Sequence, residues 1–180
     1  STRSAVLTLK DGVAVYGGFS GAEVGREGRD WTVNISRLQG QYDRWGAQGA
    51  NNAVLDGFTI FEGRVGMYNN GVTVDVANCT FSGHTGYSFG GGAMYNQNAT
   101  VRVTRCVFSM NTADSDGGAL FSRNATVSVS YCTFQDNVST SASGGAMYNE
   151  NSAVSVTNCL FSDNVASSGG GGVCNFYGAP

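Results

Sequence analysis

The sequence has very little of the residues on which helical and loop-rich folds depend. Its 180 residues include one proline, one lysine, one histidine and six leucines, and charged residues make up 13%. No stretch shows an apolar period near 3.6 residues, so we expect helices to be short at most. The scarcity of leucine also excludes the leucine-rich repeat, which needs many leucines in every 20–29-residue turn.

The sequence also gives no sign of a nucleic-acid, membrane or metal partner. Ten basic residues stand against thirteen acidic ones, with no basic patch, so we expect no nucleic-acid partner. No run of 18 apolar residues is present, which predicts no membrane-spanning helix in this piece. A single histidine and the lack of a Cys-x-x-Cys motif speak against zinc, and we expect no cofactor. Ser1 is not a natural start, and we expect a processed part of a longer secreted chain.

Glycine, by contrast, is abundant and periodic. Paired glycines recur with the second glycine at positions 92, 118, 145 and 172, in steps of 26, 27 and 27 residues. Four cysteines, at 79, 106, 132 and 159, recur in steps of 27, 26 and 27 residues. Two independent landmarks that keep one period indicate a solenoid.

Within each period lies a run in which valine alternates with a small polar residue, at 72–76, 101–104, 127–130 and 154–157. Such alternation is typical of a strand with one buried face. The sequence therefore predicts an all-β, right-handed parallel β-helix of about five to six coils, because parallel crossovers are almost always right-handed. We expect one domain over 1–180: first strands at 1–20, an irregular excursion at 21–52, early coils at 53–90 and regular repeats at 91–180.

Stacking of such coils about 4.8 Å apart aligns equivalent residues in ladders. We predict a ladder of buried free thiols, a phenylalanine ladder, an asparagine ladder at a corner, and an inward ladder of long apolar side chains. Their members are Cys79, Cys106, Cys132 and Cys159; Phe81, Phe108, Phe134 and Phe161; Asn111, Asn137 and Asn164; and Met67, Met94, Leu120, Met147 and Cys174. A disulfide between neighbouring coils is the alternative for the cysteines.

The repeated phrases Gly91–Met94 with Phe108–Asn111, Gly117–Leu120 with Phe134–Asn137, and Gly144–Met147 with Phe161–Asn164 carry a resemblance. They resemble the repeats of the chlamydial polymorphic outer membrane proteins, which also occur in secreted bacterial proteins with right-handed β-helix domains. The resemblance implies an extracellular or cell-surface domain, used for adhesion or as a structural stalk. It supplies no catalytic residues.

Aromatic residues are the candidates for binding. Tyr68, Tyr95, Phe121 and Tyr148 follow inward residues, so they are expected to form an outward stripe that packs against a partner or the excursion, or that holds sugar rings. Trp31 and Trp45 lie in the predicted excursion, where we expect them to pack against the side of the helix or to belong to a ligand-binding loop.

Charged candidates for catalysis are few. Asp136 and Asp163 stack in a row only two long and are expected to be solvated turn residues rather than a carboxylate pair. Asp114 and Asp116 form a weak Ca²⁺ candidate without the later glutamate of an EF-hand loop. His84, which stands where the asparagine ladder would continue, is expected to be a solvated turn residue because no nucleophile or orienting partner can be named.

These observations favour a non-catalytic surface domain, an adhesin or a stalk, with a cell-surface glycan or protein as partner. Two alternatives remain open. One is a self-assembling fibre subunit that stacks head to tail through an uncovered terminal coil. The other is a domain that binds or cleaves polysaccharide, as pectate lyases do.

Overall fold

A computed structural model of the chain describes residues 5–86 and 90–177. These residues form short strands and one turn of 3₁₀ helix, Arg26–Gly28. In chain order the strands are β1 (Ala5–Thr8), β2 (Ala14–Tyr16), β3 (Ser36–Gln39), β4 (Trp45–Gln48), β5 (Ala53–Asp56), β6 (Phe58–Phe61), β7 (Val65–Asn70), β8 (Thr73–Ala77), β9 (Thr80–Ser82), β10 (Thr85–Gly86), β11 (Met94–Gln97), β12 (Thr100–Thr104), β13 (Val107–Ser109), β14 (Thr112–Ala113), β15 (Leu120–Arg123), β16 (Thr126–Ser130), β17 (Thr133–Gln135), β18 (Val138–Ser139), β19 (Met147–Glu150), β20 (Ala153–Thr157), β21 (Leu160–Ser162), β22 (Val165–Ala166) and β23 (Val173–Phe176). No helix among the described residues is long and apolar enough to cross a membrane.

Every strand pairs in parallel with the equivalent strand one coil away. Four sheets result: sheet A (β1-β4-β7-β11-β15-β19-β23), sheet B (β2-β5-β8-β12-β16-β20), sheet C (β3-β6-β9-β13-β17-β21) and sheet D (β10-β14-β18-β22). Coils 1 and 2 run through sheets A, B and C, and from coil 3 onward the chain also passes through sheet D before it climbs one level. The architecture is the predicted right-handed parallel β-helix, with six coils and the first strand of a seventh.

The core is a column of ladders between the sheets. Phe81, Phe108, Phe134 and Phe161 stack face to face with ring centroids 5.2, 4.7 and 4.8 Å apart. The cysteine ladder lies beside them: Cys79, Cys106 and Cys132 are buried, Cys159 is half-buried, and all four are free thiols. Each thiol donates to backbone carbonyls, as Cys106 Sγ does to Thr104 O over 3.4 Å. Burial raises the pKa of the Cys106 thiol, which keeps it neutral.

One predicted ladder is corrected at its end. Cys174 does not continue the apolar ladder, because Val173 pairs with Met147 and Cys174 pairs with Tyr148. The last step of the repeat is therefore 26 residues, and Gly171 rather than Gly172 stacks on Gly145. Four consecutive glycines precede Val173, so the glycine pair alone did not determine the register.

Each coil turns at corners where one residue adopts the left-handed conformation. The corner between sheets B and C carries Gly57, Asn78, Arg105, Tyr131 and Asn158, with φ between 52° and 80°. The corner after sheet C carries Glu62, Gly83, Met110, Asp136 and Asp163, with φ between 54° and 65°. Asn, Asp and Gly tolerate this conformation, which explains why they recur at these positions.

The asparagine ladder fills the interior of the corner between sheets C and D. Asn111 Nδ2 donates to Asn137 Oδ1, and Asn137 Nδ2 donates to Asn164 Oδ1, both over 2.9 Å. His84 continues this ladder and is fully buried, so its expected role as a solvated turn residue is wrong. Its backbone N–H donates to Asn111 Oδ1, and its Nε2 lies 3.1 Å from the carbonyl of Ile60. The imidazole replaces an amide because it too can donate to the carbonyl of the coil below.

The segment predicted as an irregular excursion, 21–52, contains two strands of the helix. Because Tyr16 pairs with Asp56 and Ser36 pairs with Phe58, residues 17–35 occupy the corner that Gly57 alone fills one coil later. The inserted loop is therefore 17–35, and β3 and β4 belong to the coils. Trp45 lies in β4, within sheet A, and not in the loop. The interval reads as irregular because coil 1 carries the insertion and also has no strand in sheet D.

Candidate ligand-binding groove

The inserted loop 17–35 folds over the following corners of the helix and presents Trp31. Glycines permit this close approach. A Cβ on Gly57 would lie 3.1 Å from Trp31 Cβ and 2.8 Å from Arg29 Nη1, and one on Gly18 would lie 2.7 Å from the Trp31 backbone. Both glycines also have positive φ. The local sequence thus positions Trp31 directly against the corner between sheets B and C.

A buried ion pair holds the loop in place. Arg29 Nη2 donates to Asp56 Oδ2 over 2.7 Å, with the two side chains 8% and 12% exposed. The second Asp56 oxygen accepts from Asn78 Nδ2 over 2.8 Å, and Arg29 Nη1 donates to the carbonyl of Gly17 over 3.1 Å. The guanidinium carbon also lies 5.0 Å from the ring centroid of Tyr16 and 4.8 Å from that of Trp31. Arg29 is therefore clamped between two aromatic rings.

Between this loop and sheet C runs an open groove of about 320 Å³. Trp31, Thr32 and Ile35 form the wall on the loop side. Thr59, Thr80 and Val107, which are register neighbours on β6, β9 and β13, form the floor. Asn78 and Arg105 line it from the corner. Trp31 is 36% exposed and Ile35 is 48% exposed, so both offer apolar surface to a ligand.

The charged groups at the groove are all cationic. Arg105 lines the groove, and Arg37 lies at its lower end as the register neighbour of Thr59. Neither forms a salt bridge with another described residue. Arg105 instead points toward Tyr131, with its guanidinium carbon 5.9 Å from that ring centroid. No acidic side chain lines the groove among the described residues. The arrangement combines an exposed indole, hydroxyl groups and unpaired cations.

The predicted aromatic stripe is present on sheet A, but its rings stack on one another. Trp45, Tyr68, Tyr95, Phe121 and Tyr148 stack in one column with successive centroids 4.0, 5.4, 5.1 and 5.7 Å apart. Tyr95 is 6% exposed and Phe121 is 3% exposed. Tyr68, Tyr95 and Phe121 are therefore covered by neighbouring rings on both faces, whereas Trp45 and Tyr148, at the two ends of the column, have a neighbouring ring on one face only.

The carboxylates considered for catalysis lie apart from the groove. Asp136 and Asp163 occupy adjacent left-handed corner positions after sheet C. Asp116 Oδ1 accepts the backbone N–H of Ser143 in the next coil over 3.0 Å, while Asp114 is exposed. The described part of the chain contains no group of three or more histidine, cysteine, aspartate or glutamate side chains that could hold a metal ion.

A comparison with protein families matches residues 20–180 to the right handed beta helix region. The match covers most of the chain and agrees with the sheet topology. The chain belongs to this family. No curated protein matches the β-helix in sequence. Domains of this family occur both in adhesins and in pectate-lyase-like enzymes, so membership gives the fold and leaves the activity to be argued from the groove.

Sequence reasoning named Trp31 but missed the residues that make it part of a site. Arg29 and Asp56 are 27 residues apart, and nothing in the repeat connects a loop arginine to a strand end. Arg105 and Tyr131 could have been found. They occupy the same corner position as Gly57, Asn78 and Asn158 in other coils. Glycine and asparagine suit the left-handed conformation of that corner, whereas arginine and tyrosine do not.

Proposed function

We propose that this β-helix is a non-catalytic, extracellular surface domain of a secreted bacterial protein, and that it acts as an adhesin. The observation that carries the proposal is the groove beside Trp31. A buried ion pair holds an exposed indole in a fixed position, which reduces the entropy lost when a ligand is bound. Exposed loops that a rigid scaffold holds in position are the usual place for recognition. A purely structural stalk has no need of such an anchor.

The chemistry of the groove favours an acidic glycan as its ligand. An indole offers a flat apolar face to a sugar ring, and the threonine hydroxyls on the floor offer hydrogen bonds. Arg105 and Arg37 provide unpaired guanidinium groups, which bind carboxylate or sulfate in a bidentate manner. They lie about three coils apart, or roughly 14 Å along the axis at the usual strand spacing. A chain with negative groups spaced along its length would contact both.

Glycan binding tests this proposal directly. Isothermal titration of the protein with a sulfated glycosaminoglycan, polygalacturonate and neutral dextran should give heat with one or both acidic polymers and none with dextran. Arg105→Gln should weaken binding about tenfold or more, because a charge-assisted hydrogen bond contributes roughly 1.5–3 kcal/mol. Trp31→Ala should weaken binding to a similar extent, because it removes the flat apolar face offered to a sugar ring. Arg102→Gln is the matched control, since Arg102 is exposed on sheet B outside this groove. Equal binding by all three variants, or no binding by the wild type, contradicts the proposal.

The enzymatic alternative is tested on the same polymers. A lyase or hydrolase would release unsaturated or reducing ends, and substitution of Asp136 or Asp163 would abolish that release. We expect no release. These carboxylates stand at turn positions away from the groove, which speaks for binding without cleavage.

Self-assembly through head-to-tail stacking is a separate proposal about partners. Light scattering over a wide protein concentration range distinguishes it from binding by a monomer. A mass that stays at one chain at high concentration would exclude stacking of this 180-residue chain.

A further inference from the structure

A second ladder of polar side chains, not anticipated from the sequence, runs through the interior of sheet A. Its members lie in one register column: Asn69, Asn96, Ser122, Asn149 and Asn175. Asn69 Nδ2 donates to Asn96 Oδ1 over 2.8 Å, and Asn149 Nδ2 donates to Asn175 Oδ1 over 2.9 Å. Both of these amides donate in the same direction along the axis.

Serine interrupts this ladder in the coil between Asn96 and Asn149. The interruption leaves three buried polar atoms with no hydrogen-bond partner among the described residues: Asn96 Nδ2, Ser122 Oγ and Asn149 Oδ1. The three residues are 0%, 0% and 3% exposed. Bulk water does not reach them, and buried polar groups left without a partner are strongly disfavoured.

We propose that ordered water occupies the break and replaces the missing amide group. The three atoms offer a donor on one side, an acceptor on the other and a hydroxyl between them, which is the set of two to four polar partners that a buried water needs. Serine lacks the amide oxygen and nitrogen of asparagine, which frees space comparable to one water molecule. No charged side chain belongs to the column, so an ion would have no counter-charge there. Water accepts from Asn96 and donates onward, which keeps the direction of the ladder.

The other unpartnered atom of the column marks a different situation. Asn69 Oδ1 faces Gly49 in the coil below, and a Cβ placed on Gly49 would overlap that oxygen. The backbone of coil 2 therefore closes the ladder at its lower end and leaves no comparable space. The water site is specific to Ser122, where a short side chain is flanked by two long ones.

A crystal structure of the protein at a resolution that shows ordered water decides the question. We expect electron density within hydrogen-bond distance of Ser122 Oγ and of at least one neighbouring amide. In Ser122→Asn the amide should replace this density and join Asn96 to Asn149. Its melting temperature should rise by about 2–4 °C, the shift expected when one buried polar break is repaired in a domain of this size.

Two comparisons keep the test sharp. Ser128→Asn, on the solvent face of the neighbouring strand β16, should leave the melting temperature unchanged. Ser122→Val, which fills the space with an apolar side chain, should lower it because both amides then lose their partner. Absence of density in the wild type overturns the proposal, whether or not a variant folds. A lower melting temperature for Ser122→Asn with the amide in the ladder would also overturn it.

Discussion

The backbone N–H of His84 donates to Oδ1 of Asn111 over 3.2 Å, so a histidine takes the first place in a ladder otherwise built of asparagine. Its Nδ1 is buried and has no hydrogen-bond partner among the described residues. Burial lowers the pKa of His84 to about 4. The imidazole is therefore neutral at neutral pH, and the backbone carbonyls of Ile60 and Glu62, together with the charge of Glu62, offset only part of the effect of burial on this pKa.

The protein should lose stability as the pH falls from about 6.5 to about 4. An unfolded histidine has a pKa near 6.5, so between these values the unfolded chain binds more protons than the folded one. The contribution of neutral His84 is fully present above pH 6.5 and is lost as the pH falls through that window. This difference in the pKa of His84 between the unfolded and folded states corresponds to roughly 3 kcal/mol in the free energy of unfolding. Urea denaturation of the wild type and of His84→Asn at pH 7.5 and pH 4 measures it.

Asparagine at position 84 does not titrate, so the difference between the two proteins isolates the histidine from the carboxylates. The wild type should lose more stability than the variant on acidification. Identical losses in both proteins would show that His84 does not contribute to the pH dependence.

Met110→Gly should stabilise the protein by about 1 kcal/mol. Met110 has φ 54°, and its side chain is 62% exposed, so the left-handed strain is not repaid by burial. A non-glycine residue in this conformation costs about 1–2 kcal/mol, while glycine loses somewhat more entropy on folding. Chemical denaturation gives the change. The matched control is Ser109→Gly in strand β13, which should destabilise by about 0.5–1 kcal/mol. A destabilised Met110→Gly protein would mean that the side chain contributes packing that outweighs the strain.

Replacement of Arg29 by methionine should release the inserted loop. Asp56 would keep only the amide of Asn78 as a partner, and an uncompensated buried charge costs about 3–5 kcal/mol. We expect faster proteolysis within 17–35 and weaker glycan binding, with the coils above intact. Arg29→Met/Asp56→Asn should recover much of the protease resistance, because it removes both charges. If Arg29→Met alone leaves proteolysis and binding unchanged, the ion pair does not hold the loop.

Cys79, Cys106 and Cys132 should not react with a thiol reagent in the native protein. They are 1%, 1% and 2% exposed, and their thiols donate to carbonyls of the core. Half-buried Cys159 should react faster. Mass spectrometry after brief alkylation identifies the modified residues, and denaturant should expose all of them. Rapid native alkylation of Cys106 would contradict a closed core.

The repeat period and the valine alternation were sufficient to predict the fold, because each coil repeats the same local pattern and the core follows from stacking. Two features broke the pattern. Four glycines in a row before Val173 gave the final coil two possible registers. His84 was misjudged because a polar residue beside a glycine normally lies in a solvated turn, whereas here the turn residue is Gly83 and the next position points inward.

The groove could be predicted only in part. A tryptophan in a segment without period indicated a loop with a possible role, but the partners of that loop lie on later coils. The contact between Arg29 and Asp56 depends on how a 19-residue loop folds back, and no repeat determines that path. The same holds for Ser122. In the sequence, this serine is one small polar residue among many. Only the strand register places it between the amides of Asn96 and Asn149.

The corner between sheets B and C accepts either one residue or nineteen while the strands on both sides keep their register. The number of residues at this corner therefore does not affect the packing of the core. A loop inserted there changes the surface and leaves the stacked coils unchanged. Asn78, Arg105, Tyr131 and Asn158 occupy this same corner in the later coils and offer equivalent attachment points about 4.8 Å apart along the axis. A loop inserted at one of these corners would therefore lie at a known distance from Trp31 along the helix axis, set by the number of coils between them.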